Sequence, residues 1–197
     1  MNFHLAQEFF WFNPAKMPGP AQWVTVERIR STDAVNTIWW LSKTERPKAD
    51  NRRVPKEYSE SMKRLLQKGY NKGPRPSGHV ISDKWQKDLG GAIHKNLLEI
   101  SNTGSNDIYQ SSCRKLGIPL HPARFPWNLP KFFIEFLTDN SSDIVLDIFA
   151  GSNVTGAVAE KLCRTWLGFE MRQDFLEGSK FRFGLDVDPI MAGAKEK

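Results

Sequence analysis

Apolar residues recur along this chain in two rhythms, one suited to strands and one to helices. Leu5 to Phe12 is apolar and aromatic apart from Gln7 and Glu8, and predicts a strand. It stops at Asn13 to Pro20, where three prolines and a glycine forbid regular structure. Trp23 to Arg30 sets Val24, Val26 and Ile29 among polar residues, an approximate alternation that predicts another strand. After a turn at Asp33 to Asn36, the β-branched and aromatic run Thr37 to Leu41 predicts a strand paired antiparallel with it. Helical spacing begins at Met62, Leu65 and Leu66, behind Ser59 or Ser61 as cap. It returns over Asp107 to Leu116, over Lys131 to Leu137 with Phe132, Phe133, Phe136 and Leu137 on one face, and over Phe175 to Phe183.

The densest pattern runs from Asp143 to Glu170. Ile144, Val145 and Leu146 lead to Asp147 and predict a buried parallel strand. Phe149 to Asn153 makes a tight turn, and Asn153 caps a helix that buries Val154, Ala157, Val158 and Leu162. Thr165 to Phe169 is a second strand, closing on Glu170. The result is a β-α-β unit of an α/β fold, with small residues in its first turn and an acid at the tip of its second strand. Such a turn lets backbone N–H groups approach a ligand, and such an acid accepts hydrogen bonds from two ribose hydroxyls. The same unit is also plain scaffold in any doubly wound domain, where a strand-end Asp is a turn former. Gly151 stands without the three-glycine fingerprint of NAD or FAD sites, and there is no Walker lysine for ATP or GTP.

Length and charge narrow the picture. The 197 residues suffice for one core plus a lobe, and the 40% hydrophobic content with seven tryptophans argues against disorder. No apolar run approaches the ~20 residues that cross a bilayer. Met1 to Phe12 carries Glu8 and no basic leader, so no signal peptide is expected and the reading is cytoplasmic. Cys113 and Cys163 are isolated and read as reduced packing residues, and the four scattered histidines suggest no metal site. The tail from Leu185 reads as frayed.

The net charge of +6 is concentrated: Lys43 to Lys95 holds 14 Lys and Arg against 6 Asp and Glu. Pro- and Gly-punctuated loops fill the same region, Arg75 to His79 among them, and Ser101 to Asn106 extends the pattern. A basic, loop-rich lobe is the footprint of nucleic-acid binding, with Arg52, Arg53 and Arg75 as candidate DNA contacts. A merely solvated basic surface is the alternative.

Wording adds more than spacing. Asp147-Ile148-Phe149-Ala150-Gly151-Ser152-Asn153-Val154-Thr155-Gly156 resembles the S-adenosylmethionine motif of amino-group DNA methyltransferases, most closely in the cytosine-N4 branch. His121-Pro122-Ala123-Arg124-Phe125-Pro126 and Leu129-Pro130 resemble the segment that leads into that motif. Trp11-Phe12-Asn13-Pro14-Ala15-Lys16-Met17-Pro18 resembles a late core motif whose aromatics line the pocket for a flipped base, unless Trp11 and Phe12 only pack the core. The resemblance spans Leu5 to about Phe183. It implies a partial Rossmann-like methyltransferase sheet with an inserted, loop-rich target-recognition region. Residues 1–43 would be edge strands, 44–120 the recognition region and 121–197 the S-adenosylmethionine-binding half. The cofactor would meet Asp147, Phe149, Ala150, Gly151 and Glu170, with Phe125 and Pro126 near its methionine end. Double-stranded DNA in a restriction-modification system is the implied substrate.

One family feature is missing. The Asp/Asn/Ser-Pro-Pro-aromatic motif that holds the exocyclic amine occurs at no proline, and Asn13-Pro14-Ala15 is the nearest string. No catalytic residue is therefore assigned. The resemblance is to the C-terminal half of the enzyme, so either a separate polypeptide supplies the N-terminal half or the chain is a truncation. Adenine-N6 methylation and a non-catalytic DNA-binding remnant are the alternative functions.

Overall fold

The computed structural model describes residues 2–69, 73–81, 87–104, 107–139 and 142–185. Its regular elements in chain order are β1 (His4–Phe12), β2 (Val35–Ser42), α1 (Glu60–Lys68), β3 (Gly73–Pro74), β4 (Val80–Ile81), β5 (Leu97–Glu99), α2 (Ile108–Leu116), α3 (Asn128–Leu137), β6 (Ile144–Asp147), α4 (Val154–Lys161), β7 (Thr165–Gly168) and α5 (Gln173–Ser179). They form two compact units. Asp50–Lys95 is one, and Met1–Ala49 joins Asn96–Lys197 in the other. The span 44–120 thus contributes to both.

In the larger unit β1 is the central strand of three, antiparallel to β2 and parallel to β5. Phe9 is 3% exposed and meets Phe132, Phe133 and Phe136 of α3 edge-on, with ring centroids 5.9, 5.2 and 6.1 Å away. Such pairs add about 0.5–1.5 kcal/mol each beyond the burial of their area. The strand expected at Trp23 to Arg30 is not one. Gln22–Val26 is a short π-helical turn held by local bonds, Glu27 N–H to the Gln22 carbonyl at 2.9 Å and Ile29 N–H to the Trp23 carbonyl at 3.0 Å. β1 itself takes β2 as its antiparallel partner along its length, Phe12 opposite Val35 through His4 opposite Ser42, so this segment belongs to the connection between the two strands and not to the pair. Val26 and Ile29, expected to alternate inward, are exposed.

β6 and β7 form a parallel pair in register, Ile144 opposite Thr165 through Asp147 opposite Gly168. One face is packed: Val145 and Trp166 lie against Ile134, Val154, Val158 and Ala159 of α3 and α4. The other face is bare, with Ile144, Leu146, Leu167 and Phe169 all more than half exposed. The strand read as buried is therefore buried on one face alone, because among the described residues no helix covers the second. A third cluster joins Tyr109, Cys113 and Ile118 to Phe181 in the 3-10 turn Lys180–Phe183 that follows α5. Cys113 is buried, and burial pushes its thiol pKa up. Cys163 is exposed, contrary to its reading as a packing residue, since it turns out of α4 with φ 54°.

The smaller unit is built on α1, which Ser59 caps by accepting the Met62 N–H at 3.3 Å. A bridge joins Lys56 to Ala92, and the Tyr58 hydroxyl accepts the Leu89 N–H at 3.1 Å. Val54 is its buried apolar residue among those described. The tail beyond Leu185 lies outside the described residues, as do Ser105 and Asn106 of the loop noted above.

Candidate functional site

Asp147 ends β6 and turns its carboxylate back over the following turn. Its Oδ1 accepts the Phe149 N–H at 3.0 Å and its Oδ2 accepts the Thr155 hydroxyl at 2.7 Å. One acid thereby ties the strand end to the first turn of α4. The ladder continues past the strands, with Phe169 N–H to the Asp147 carbonyl and Ala150 N–H to the Phe169 carbonyl, both 2.8 Å. Two left-handed residues then shape the bend, Gly151 at φ 52° and Asn153 at φ 53°. The Asn153 side chain accepts the Gly156 N–H at 3.1 Å and caps the helix, as its sequence position suggests.

Glu170 closes the turn from the opposite strand. Its Oε2 accepts the Gly151 N–H at 2.8 Å and its Oε1 accepts the Arg172 N–H at 2.9 Å. These bonds fix the carboxylate beside the turn, and each oxygen keeps a further lone pair for a ligand hydroxyl. The site thus lies outside the carboxyl ends of parallel strands, where α/β sheets hold their ligands.

The segment His121 to Pro126 packs against this turn. A methyl group added at Gly151 would sit 3.0 Å from the His121 ring, so the close approach, as well as the positive φ, requires glycine. The His121 ring is fixed in turn, donating from Nδ1 to the Ala123 carbonyl at 2.8 Å and meeting Phe175 edge-on at 4.7 Å. Asn102 links the same segment to the end of β1: its N–H donates to Asn13 Oδ1 at 3.0 Å and its Nδ2 to the Arg124 carbonyl at 2.7 Å.

Phe125 and Pro126 line a cavity of about 1060 Å³, with Asn102, Asp107, Arg124 and Arg182 also on its wall. Asp147, Phe149, Gly151 and Glu170 stand outside that wall, while Val154, first residue of α4, is part of it. The cofactor candidates therefore fall in two neighbouring groups, a turn with its acid and a cavity of mixed polar and apolar lining, joined through His121 and α4. Phe149 projects outward and is 84% exposed, a free aromatic face beside the turn. Burial raises the Tyr109 phenol pKa at the cavity wall, so this hydroxyl stays protonated.

Sequence reasoning missed three participants. Thr155 and His121 stand inside the quoted motifs, where the resemblance marks them but assigns no role. Arg182 stands in no motif, and its local pattern carries no signal.

The basic candidates all lie in the smaller unit. Asp50–Lys95 carries 11 Lys and Arg against 5 Asp and Glu, a balance of +6 that equals the charge of the whole chain. Arg52 forms a fork with Asp50, Nε to Oδ1 at 2.8 Å and a terminal nitrogen to Oδ2 at 2.6 Å. This hydrogen-bonded pairing holds the Asp50 carboxyl far below the usual carboxylate range and raises the Arg52 pKa. Much of the field of Arg52 is therefore offset within its own turn. Arg53 ends the 3-10 turn Asn51–Arg53, and Arg75 opens the β3–β4 hairpin, its N–H bonded to the His79 carbonyl at 2.8 Å.

Residues 1–181 match the family model of the N6/N4 DNA methylases. Over 186 residues the chain is 51% identical to the Type II methyltransferase M.PvuII of Proteus hauseri, covering 93% of this chain and 55% of that protein. The solved structure of the PvuII DNA methyltransferase (cytosine-N4-specific) superposes with a TM-score of 0.70 at 43% identity, over 95% of this chain and 54% of that one. An M1.HpyAVI–SAM complex, at 19% identity and TM-score 0.52, shares the fold. The chain spans about half the length of the relative M.PvuII. The α/β methyltransferase fold implied by the motifs is what these structures share with it. By the match over residues 1–181, the chain belongs to the DNA methylase family.

Proposed function

We propose that this chain is the cofactor-binding and DNA-recognition portion of a site-specific cytosine-N4 DNA methyltransferase of a restriction-modification system, acting in the cytoplasm. The observation that carries the reading is the turn Asp147–Asn153 with Glu170 fixed across it, at the ends of β6 and β7. S-adenosylmethionine supplies a methyl group activated by its sulfonium. The residues present suit it: Glu170 accepts the ribose hydroxyls, Asp147 sets the turn, and Ala150 and Gly151 keep it small enough for close approach. Phe149 offers an aromatic face, and Phe125 and Pro126 receive the methionine end in the cavity they line. Methyl transfer to an exocyclic amine then depends on positioning and on exclusion of water.

Double-stranded DNA is the proposed partner, recognised by the smaller unit, where Arg52, Arg53 and Arg75 reach phosphates. The Pro-Pro-aromatic motif that these residues do not contain comes from a further segment, in the same or in a separate polypeptide. The bare face of β6 and β7 supports this, because parallel sheets are stable when both faces are covered. Among the described residues no helix is long and apolar enough to cross a membrane.

The test is mass analysis of DNA from cells that express this chain together with the segment of the Proteus hauseri relative it does not match. N4-methylcytosine is expected. N6-methyladenine without it would replace cytosine by adenine as the target, and unmodified DNA from a folded, assembled pair would favour a non-catalytic DNA-binding protein.

DNA binding is expected to weaken steeply with salt, since each neutralised phosphate releases counterions. In duplex titrations, Arg53→Ala and Arg75→Ala should each lower the salt slope by about one. An unchanged slope in both variants would remove Arg53 and Arg75 from the phosphate contacts.

A further inference from the structure

Arg182 carries no assigned role, yet its guanidinium joins three segments of the larger unit. Its Nε donates to the Ser152 carbonyl at 2.6 Å, one terminal nitrogen meets Asp107 Oδ2 at 2.9 Å, and the other lies 3.4 Å from the Ser152 hydroxyl. The guanidinium also sits over the Tyr109 ring, 4.5 Å from its centroid. Its side chain is 9% exposed. We propose that Arg182 is a positioning residue for the cofactor turn, holding the Ser152–Asn153 peptide so that Gly151 and Glu170 face the ligand. The proposal rests on the methyltransferase reading above.

The backbone explains why such a clamp is needed. Asn153 is a non-glycine residue at φ 53°, a conformation L-residues hold at a cost and only when their surroundings impose it. Its peptide shares a plane with the Ser152 carbonyl, so a bond to that oxygen fixes the Asn153 N–H as well. The same N–H donates to the Ala150 carbonyl at 2.6 Å, which closes the turn. A planar fork suits this task because it serves a carbonyl and a carboxylate together, which the single ammonium of lysine does not. Asp107 is doubly used: its Oδ1 caps α2 by accepting the Gln110 N–H at 2.8 Å while Oδ2 holds Arg182. Arg182 thereby connects the turn to the cavity wall that includes Asp107 and Tyr109. Its neighbours anchor the backbone independently, Phe181 in the Tyr109 cluster and Phe183 stacked on Trp166 at 5.0 Å. The side chain is thus separable from the fold.

The experiment compares the full chain with Arg182→Met and Arg182→Lys. Amide hydrogen exchange is read without cofactor, and S-adenosylmethionine affinity is read by calorimetry. For Arg182→Met, exchange at Gly151, Asn153 and Gly156 should rise by about tenfold while the β1–β2 ladder is unchanged, and the Kd should rise by about tenfold (each a change of ~1.4 kcal/mol). Arg182→Lys should fall between. Unchanged turn exchange, or equal acceleration at every amide, would overturn the assignment. Should Arg182→Met fail to fold, Arg182→Lys decides by the same two readings. Wild type that does not bind S-adenosylmethionine even together with the segment of the Proteus hauseri relative it does not match would sink the cofactor reading instead, with the exchange data still testing the clamp.

Discussion

Glu170→Ala is expected to weaken S-adenosylmethionine binding by about tenfold or more, with unchanged circular dichroism. A carboxylate that receives ribose hydroxyls makes charge-assisted bonds of roughly 1.5–3 kcal/mol each, so losing even one exceeds the ~1.4 kcal/mol that corresponds to tenfold. The secondary structure survives because the turn keeps its other ties, Asp147 to Phe149 and Thr155, and Ala150 to Phe169. Glu170→Gln should fall between, since the amide retains an acceptor for the Gly151 N–H or the ribose but not the charge. Calorimetric titration decides, on the chain completed by the missing segment if the isolated chain does not bind. Equal affinity in wild type and Glu170→Ala, with the fold unchanged, would falsify the ribose assignment. Glu170 would then be only the brace of its own turn.

Gly156→Ala is expected to lower stability by about 2 kcal/mol, the middle of the range for overpacking a filled interior. On an open helix face the same change would stabilise by up to about 1 kcal/mol, so the sign is diagnostic. The added methyl would lie 2.3 Å from Asn153 Oδ1 and 2.8 Å from two ring carbons of Trp166. It therefore strikes the helix cap and the packed face of β7 at once. For a chain of this length the loss corresponds to a fall in Tm of about 4–8 °C. Thermal unfolding followed by tryptophan fluorescence reads it, and an unchanged or raised Tm would show that the cap and the ring move aside freely.

The bare face of β6 and β7 ties these two effects to the larger question of how the enzyme is completed. α4 and Trp166 secure one side of the strand pair, and Gly156 lies at that contact. Glu170 follows β7 at the end of the same pair. Covering Ile144, Leu146, Leu167 and Phe169 would remove apolar surface from water and stiffen the strands on which the turn depends. Cofactor affinity and assembly are expected to be linked for that reason.

Local signals in the sequence were enough to place α1, α2 and α4 and the caps of α1 and α4. Ser59 and Asn153 precede helical apolar spacing and accept the expected backbone N–H, and Asp107, read only as a helix start, caps α2 in the same way. Such interactions span three residues, so a linear string contains them. The motif at Asp147 to Gly156 was likewise legible, because its small residues and strand-end acid are consecutive and fold into one turn. Strand pairing was not. Trp23 to Arg30 has the alternation of a strand, but a strand needs a partner, and the partner expected for this segment, β2, pairs with β1 instead. The apolar content of Ile144 to Leu146 showed a strand and gave no sign of how many of its faces would be covered, since a covering layer comes from elsewhere in the polypeptide. Arg182 lies 30 residues from Ser152 and 75 from Asp107 in sequence. Only the tertiary structure could bring that fork to the turn, because no local periodicity encodes a contact closed by the packing of Phe181 and Phe183.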